Sequence, residues 1–524
     1  MQFANRMISV INDDHICPGY VAESDLIFRN HSAATGNKIA KIPTDTNENG
    51  AYDQILLPEQ TSHPFLSLQQ LQSFTRTQIE QYAISAFIEN YVFFPEDKSL
   101  SRGFLSGVPS LLENAPPNST IAQAASIVTY ASLKDTQHGD YFARLASTSY
   151  LDLLNSFQAT MANLNAKNTV ESVTTAILLG IYEMISTTNE KHSDHEIHCQ
   201  GAASILCSAS SPFRKHPSIN WIHTPGMPMK EKLSGIFLVW PHSVEVFRPD
   251  QRSTATCLDK LLYRVSPIFR EGSEIFENQG APLSKVRQLR EYAWCIDQEM
   301  TLWPSTQPRE WLPRMIGTVR KTLDGKGILE GTSSSPERVD TYLDIYVSGV
   351  WNCYRKVRLI LLNLLHECDT RLKNDNPEDL FVPCPNLQNY IFKQAKELID
   401  GMAASMFFHL ILDPLAVVQD LTATSSDQIF KAIYPNKTFG GLLLIHSMHA
   451  AATLSIVPLP IRTMFKEHLG WIGKYMGVGQ ATLLSEPSIS FSREYIIDGH
   501  IMVWAGTLIT ATGLEDVFES AESQ

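Results

Sequence analysis

The sequence predicts an all-α protein in which one large multi-helix domain follows a flexible N-terminal segment and a linker. Apolar residues recur at three- and four-residue spacing along most of the chain from residue 67 onward, which is the period of a buried helical face. No segment shows convincing strand alternation. The chain of 524 residues is 44% apolar, so it can bury a large core.

The first half of the domain contains helices with recognisable ends. Ile79 and Phe87 share one helical face, and Pro95 closes that helix. Ser119 or Thr120 caps the next one. Helices are predicted over residues 79–91, 121–133, 141–164, 170–185 and 230–240, and the proline-rich stretch 210–228 predicts an extended surface connection.

The second half continues the helical pattern with two breaks. Helices are predicted over residues 283–302, 342–366, 387–412, 440–457, 460–476 and 495–512. Pro304 ends the first of these helices. A Gly/Ser-rich segment over 325–336 predicts a mobile loop within the fold, and the segment 376–385 is rich in proline.

Charge argues against nucleic-acid binding by this chain alone. Its 42 Lys and Arg residues stand against 55 Asp and Glu residues, and the formal net charge of -13 repels a phosphate backbone. Residues 1–50 hold four basic and six acidic side chains, whereas a DNA-binding arm would be basic. We therefore expect no autonomous DNA binding.

Other composition features limit the class of protein further. The segment 30–60 is polar and poor in large apolar side chains, so we interpret it as a linker. No run of eighteen apolar residues and no secretory signal appear, so we expect no membrane span and no export. Eight scattered cysteines predict a reducing compartment rather than a disulfide framework.

The motif CPGY at residues 17–20, followed by the Phe-Arg-containing segment 24–30, resembles the end of the fungal binuclear zinc cluster. That DNA-binding module holds two zinc ions with six cysteines. Here Cys17 has no cysteine before it, and the next one is Cys199. One thiolate cannot hold a tetrahedral zinc ion. Two explanations remain open: a misassigned or alternative start that skipped the coding region, or a paralogue that lost the cluster.

Five ordered motifs in the helical part resemble the regulatory domain that follows the zinc cluster in fungal zinc-cluster transcription factors. They are ILLGIYEM at 177–184, HxxGAxxIL at 198–206, VWNxYRxxRL at 350–359, MFFH at 406–409 and WIGxxMG at 471–477. Each motif alone is weak, whereas the ordered set is strong. The chain departs from the family at His195, where an aromatic residue is common, and in the proline-rich insertion before Lys230.

The resemblance implies a remnant of the zinc cluster over residues 1–30, a flexible linker over 31–66 and a helical regulatory domain over 67–515. It further implies a nuclear transcription regulator of metabolic or secondary-metabolite genes that lacks an intact cluster. Implied partners are other transcription factors or a second copy of the chain and, as in some family members, a small apolar ligand. The alternative is a small-molecule-binding protein or an unconventional enzyme of fungal secondary metabolism.

The strongest candidate for metal chemistry is the series His192, His195, His198 and Cys199. On a helix two of these histidines could meet one metal ion, but the outer pair diverges by about 120°. The HExxH pattern is not formed, because the second histidine comes one residue too early. We interpret the series as a loop-to-helix junction with solvent-exposed histidines, and expect no metal site and no cofactor.

Familiar catalytic motifs do not occur in the sequence. It has no nucleophile elbow, phosphate-binding loop or dinucleotide-binding loop, so we expect no catalytic residue and no enzyme activity. His446 and His449 lie on an apolar helix and are interpreted as satisfied core histidines. Cys353 and Cys368 are interpreted as buried thiols.

Two motif features are expected to hold helices together. Gly180 removes a side chain where two helices can approach closely. Arg355 and Arg358 lie one turn apart on a core-rich helix, and we expect them to pair with acids such as Glu183 or Asp344.

Overall fold

The computed structural model describes residues 74–510, apart from 99, 117, 134–138, 162–165, 189–193, 207–253, 278–279, 323, 376–385, 420–432, 490 and 492. Several predictions fall outside the described residues. They are the cluster remnant over 1–30, the linker over 31–66, the connection over 210–228, the helix over 230–240 and the proline-rich segment over 376–385.

The described residues form fourteen α-helices, which confirms the predicted all-α class. In the first half these are α1 (Arg76–Tyr91), α2 (Val108–Glu113), α3 (Thr120–Ser132), α4 (Gly139–Met161), α5 (Ala166–Ser186) and α6 (His195–Leu206). In the second half these are α7 (Thr254–Glu277), α8 (Leu283–Leu302), α9 (Ile345–Asp375), α10 (Leu387–Leu410), α11 (Thr438–Thr453), α12 (Leu459–Met476), α13 (Gly479–Ser485) and α14 (Arg493–Ala505). Among these helices, none combines the length and the apolarity that a bilayer span requires.

Local sequence signals identified several helix ends correctly. α8 covers the predicted residues 283–302. Ser119 is the N-cap of α3, and its hydroxyl accepts a hydrogen bond from the Ala122 backbone N–H at 3.3 Å. α1 ends at Tyr91, ahead of Pro95. The predicted C-terminal ends of two helices were less accurate. α9 continues past the predicted residue 366, and α14 stops before the predicted residue 512.

A two-stranded antiparallel hairpin was not predicted. It is formed by β1 (Arg314–Thr318) and β2 (Arg338–Thr341), with an irregular register between Met315 and Gly317. Strands this short, with a bulge in one of them, do not produce a visible alternation of apolar and polar residues.

The connection of this hairpin contains the Gly/Ser-rich segment 325–336, which was predicted to be a mobile loop. In the structure Leu329 is buried, and Glu467 of α12 accepts hydrogen bonds from the Ser333 backbone N–H at 2.7 Å and from its hydroxyl at 2.8 Å. The segment therefore packs against the helical body, through contacts that its composition did not reveal.

The helices enclose a hydrophobic core that extends from α1 to α14. α5 packs against α3, α4 and α6, whereas α9 packs against α7, α8, α10 and α11. α14 contacts α5, α6 and α11 and so joins the two halves. Gly180 of α5 faces Met502 of α14 so closely that an added Cβ would overlap the methionine side chain. This contact confirms the predicted close helix approach at Gly180.

α9 also carries buried arginines whose partners the sequence did not identify. Arg358 donates through Nε to an Asp297 carboxylate oxygen of α8 at 2.8 Å. Arg355 donates through Nη1 to the Tyr342 hydroxyl at 2.9 Å. The carboxylate that pairs with Arg358 thus comes from the preceding helix, rather than from either acid suggested by the sequence.

Candidate ligand site: a buried polar cluster

Polar side chains from five helices meet inside the apolar core. The elements that carry them are in contact, because α14 packs on α6 and α11, and α11 packs on α9 and α13. We call the following residues the polar cluster: His195 of α6, Lys356 of α9, His446 of α11, Gln480 of α13, and Gly499 and His500 of α14. All of them are buried.

Three side-chain nitrogens of the cluster converge on Gly499. A Cβ built on this glycine would lie 2.6 Å from His446 Nε2, 3.1 Å from His195 Nε2 and 3.3 Å from Gln480 Nε2. Real Cβ atoms essentially never come within 3.0 Å of another heavy atom, so an alanine would displace the His446 ring. Glycine at this position therefore allows the α14 backbone to pack closely against the three polar groups.

Two of the converging side chains have polar atoms without a hydrogen-bond partner among the described residues. These atoms are His446 Nε2 and both amide atoms of Gln480, on side chains that are 1% and 0% exposed. In contrast, His195 Nε2 donates to the Tyr495 carbonyl oxygen at 2.9 Å in the tautomer protonated at that nitrogen. A buried polar atom left unpaired costs about 1–3 kcal/mol, so such atoms indicate a place where water or a ligand binds.

Burial keeps two histidines of the cluster neutral. It lowers the pKa of His195 to about 4, and the hydrogen bond to Tyr495 opposes this only in part. Burial also lowers the pKa of His446 well below 6.5, and the nearby Lys356 charge lowers that pKa further. At neutral pH each of these rings therefore has one N–H donor and one bare nitrogen.

Lys356 brings a cation into the cluster. Its side chain is 7% exposed, and in the described part of the chain no carboxylate forms an ion pair with it. Burial lowers the pKa of the amine to about 8, with a smaller opposing effect from Cys353 one turn earlier on α9. Cys353 is a buried cysteine, as predicted, and its sulfur lies 3.7 Å from His500 Nε2. At pH 7 the amine is still mostly protonated, so the cluster carries a positive charge that no carboxylate of the described residues pairs with.

The polar cluster combines one amine, three imidazole rings and one amide. None of them is a carboxylate, so the cluster as described lacks the acid–base pair that many hydrolytic enzymes use. Within the described ranges, no three His, Cys, Asp or Glu side chains are placed to share a metal ion. The cluster presents one cation together with several N–H donors.

The histidine series that the sequence singled out lies only partly in this site. His192 falls outside the described residues. His195 is fully buried and His198 is 6% exposed, so the prediction of solvent-exposed histidines was wrong. The reason is that α14 packs against α6 and covers its first turn. The absence of a metal site, a cofactor and a catalytic residue stays a prediction.

The second histidine pair was predicted to consist of core histidines with satisfied hydrogen bonds. His446 is buried on α11, as expected, but its Nε2 has no hydrogen-bond partner among the described residues. Sequence reasoning missed Lys356, Gln480 and Gly499. No local signal could have identified them, because they acquire their role only when helices distant in sequence pack together.

Comparison with known proteins connects the chain to transcription factors. No protein-family profile matches it, and no solved structure matches it. Transcription factor dbaG of Emericella nidulans is 29% identical to the chain over 434 residues, which are 82% of this chain and 97% of that protein. The similarity is therefore not confined to one motif. Over most of its length, this chain is distantly similar to a fungal transcription factor.

Proposed function

We propose that this chain regulates transcription in the nucleus through its helical domain, without an intact zinc cluster. The observation that carries the proposal is the similarity to Transcription factor dbaG along 82% of the chain. The motifs that resemble fungal zinc-cluster factors, in the helical part and at residues 17–20, support it as well.

Charge suggests how such a regulator would reach its genes. The net charge of -13 opposes direct contact with DNA, and Cys17 alone cannot hold the zinc that a cluster needs. We therefore expect the chain to associate with other transcription factors, or with a second copy of itself, and to control metabolic or secondary-metabolite genes.

A tethering assay tests this proposal. The full chain is fused to a heterologous DNA-binding domain, and a reporter gene with matching sites is measured in a fungal host. We expect reporter output to change several-fold relative to the DNA-binding domain alone, and a fluorescent fusion to accumulate in the nucleus. The same fusion with Trp351→Ala, which disrupts the core, is the control. An unchanged reporter together with cytosolic residence would refute the proposal.

A second candidate function is a small-molecule-binding protein or an unconventional enzyme of fungal secondary metabolism. The polar cluster favours it, because His446 and Gln480 have polar atoms inside the core that find no partner among the described residues. Cytosolic residence of the fluorescent fusion would favour this candidate over the first.

A further inference from the structure

A groove lies along one side of α12, away from the polar cluster. Its volume is about 580 Å³, which is within the range of pockets that hold small organic molecules. The connection of the β-hairpin and the end of α13 form two of its walls. We call it the α12 groove, and the residues of α12 that matter most in its lining are Arg462, Lys466, Gly470, Trp471 and Tyr475.

The α12 groove carries more positive than negative charge, and both of its acids already have partners. Lys474 donates to Glu330 at 3.1 Å, and Glu467 accepts the two hydrogen bonds from the hairpin connection. Arg462 and Lys466 form no ion pair with any described residue, and Arg462 Nε has no hydrogen-bond partner among these residues. These two cations lie one turn apart on α12, so a single anion can contact both.

The groove is aromatic farther along α12. The ring centroids of Trp471 and Tyr475 lie 5.1 Å apart, and the ring planes differ by 31°, so the two rings form one apolar surface. Trp471 follows Lys466 by five residues, which is about 7.5 Å along the helix axis. A flat aromatic molecule of that length contacts the rings while its charged end lies beside Lys466.

Gly470 lies between the cationic and the aromatic parts of the groove. Among the described residues, a Cβ built on it would have only Ser485 within 4 Å, and the Oγ distance of 3.6 Å is an ordinary contact. Gly470 does not have a positive φ either, although glycine weakens the interior of a helix. Neither backbone conformation nor packing thus requires this glycine. What its missing side chain provides is open space in the groove.

We propose that the α12 groove binds a flat aromatic carboxylate. The carboxylate pairs with Arg462 and Lys466, because a guanidinium matches the two oxygens of a carboxylate. The ring system lies over Gly470 and contacts Trp471 and Tyr475. This inference goes beyond the proposed function and does not depend on it, because a binding titration and a reporter assay can fail separately.

Calorimetric titration of the full chain tests the proposal, with 2-naphthoate as the probe. Two analogues separate its parts: 2-naphthamide keeps the rings without the charge, and acetate keeps the carboxylate without the rings. The titrations are done at pH 7 and constant ionic strength, in a buffer without carboxylates. We expect saturable binding of one 2-naphthoate per chain, at least tenfold weaker binding of 2-naphthamide and no detectable binding of acetate.

Three variants connect the binding to the groove. Arg462→Met removes the guanidinium and should weaken 2-naphthoate binding roughly ten- to a hundredfold. Gly470→Leu fills the groove and should abolish binding, while its thermal melt should lie no lower than that of the natural sequence, because leucine favours a helix more than glycine does. Lys393→Met changes an exposed lysine of α10 and should bind 2-naphthoate like the natural sequence. If Gly470→Leu fails to fold, Arg462→Met decides.

Several results would overturn the proposal. Without saturable 2-naphthoate binding, the groove is a surface feature only. Equal binding of 2-naphthamide, or unchanged binding by Arg462→Met, removes the role of the charge. Acetate binding as tight as that of 2-naphthoate removes the role of the rings. Unchanged binding by a folded Gly470→Leu, or equal weakening in Lys393→Met, places the ligand elsewhere. Tighter binding of a short acidic peptide, such as LEDVFESAE from residues 514–522, would assign the groove to a protein segment instead.

Discussion

Replacing Lys356 with methionine is expected to stabilise the ligand-free protein. The substitution preserves the length of the side chain and removes an ammonium group that has no carboxylate partner in the described part of the fold. Burial lowers the pKa of this amine from 10.5 to about 8. At about 1.4 kcal/mol per pKa unit, the charged side chain destabilises the folded state by ~3 kcal/mol at pH 7. The methionine variant should gain a stability of this order.

The pH dependence of this gain follows from the direction of the pKa change. At pH 7 the amine is protonated in both the folded and the unfolded chain, so the full cost is present. Between about pH 8 and pH 10.5 the folded chain loses this proton while the unfolded chain keeps it, so the stability of the natural sequence rises relative to that of the variant. The advantage of Lys356→Met should therefore shrink as the pH rises through this range.

Urea-induced unfolding, followed by tryptophan fluorescence in a carboxylate-free buffer, measures the difference at pH 7 and pH 9.5. Lys393→Met serves as the control for added hydrophobicity, because the Lys393 side chain is exposed. The free energy of unfolding of this variant should stay within about 0.5 kcal/mol of that of the natural sequence. If Lys356→Met is no more stable at pH 7, or keeps its full advantage at pH 9.5, then Lys356 is not an uncompensated buried charge.

Three further predictions concern other parts of the chain. Trp351→Ala should lower the free energy of unfolding by about 3–5 kcal/mol, because the ring is 6% exposed and its indole N–H donates to the Trp311 carbonyl oxygen at 2.7 Å. A thermal melt like that of the natural sequence would contradict this. Asp297→Ala leaves the buried Arg358 guanidinium without its carboxylate and should lower the free energy of unfolding in urea by about 3–5 kcal/mol. The double variant Asp297→Ala with Arg358→Met should recover part of that loss. No recovery would argue against the pairing. The purified chain should contain no stoichiometric zinc, and elemental analysis that finds a tightly held ion would contradict this prediction.

The sequence by itself determined the helical class and many of the helix ends. The apolar spacing that predicts α8 over 283–302, the Ser119 cap and the stop before Pro95 are all local signals. They are sufficient because helical hydrogen bonds join residues only four positions apart. The ordered motifs further indicated the resemblance to transcription factors, which agrees with the similarity to dbaG.

Only the tertiary structure decided which polar groups meet in the core. Lys356, His446 and Gln480 lie on separate helices, and no spacing in the sequence relates them. The burial of His195 depends on α14, which follows it by about three hundred residues, so its exposure could not be inferred from neighbouring positions. Hydrogen-bond partners and burial depend on contacts between distant segments, whereas helix formation depends on contacts within one segment.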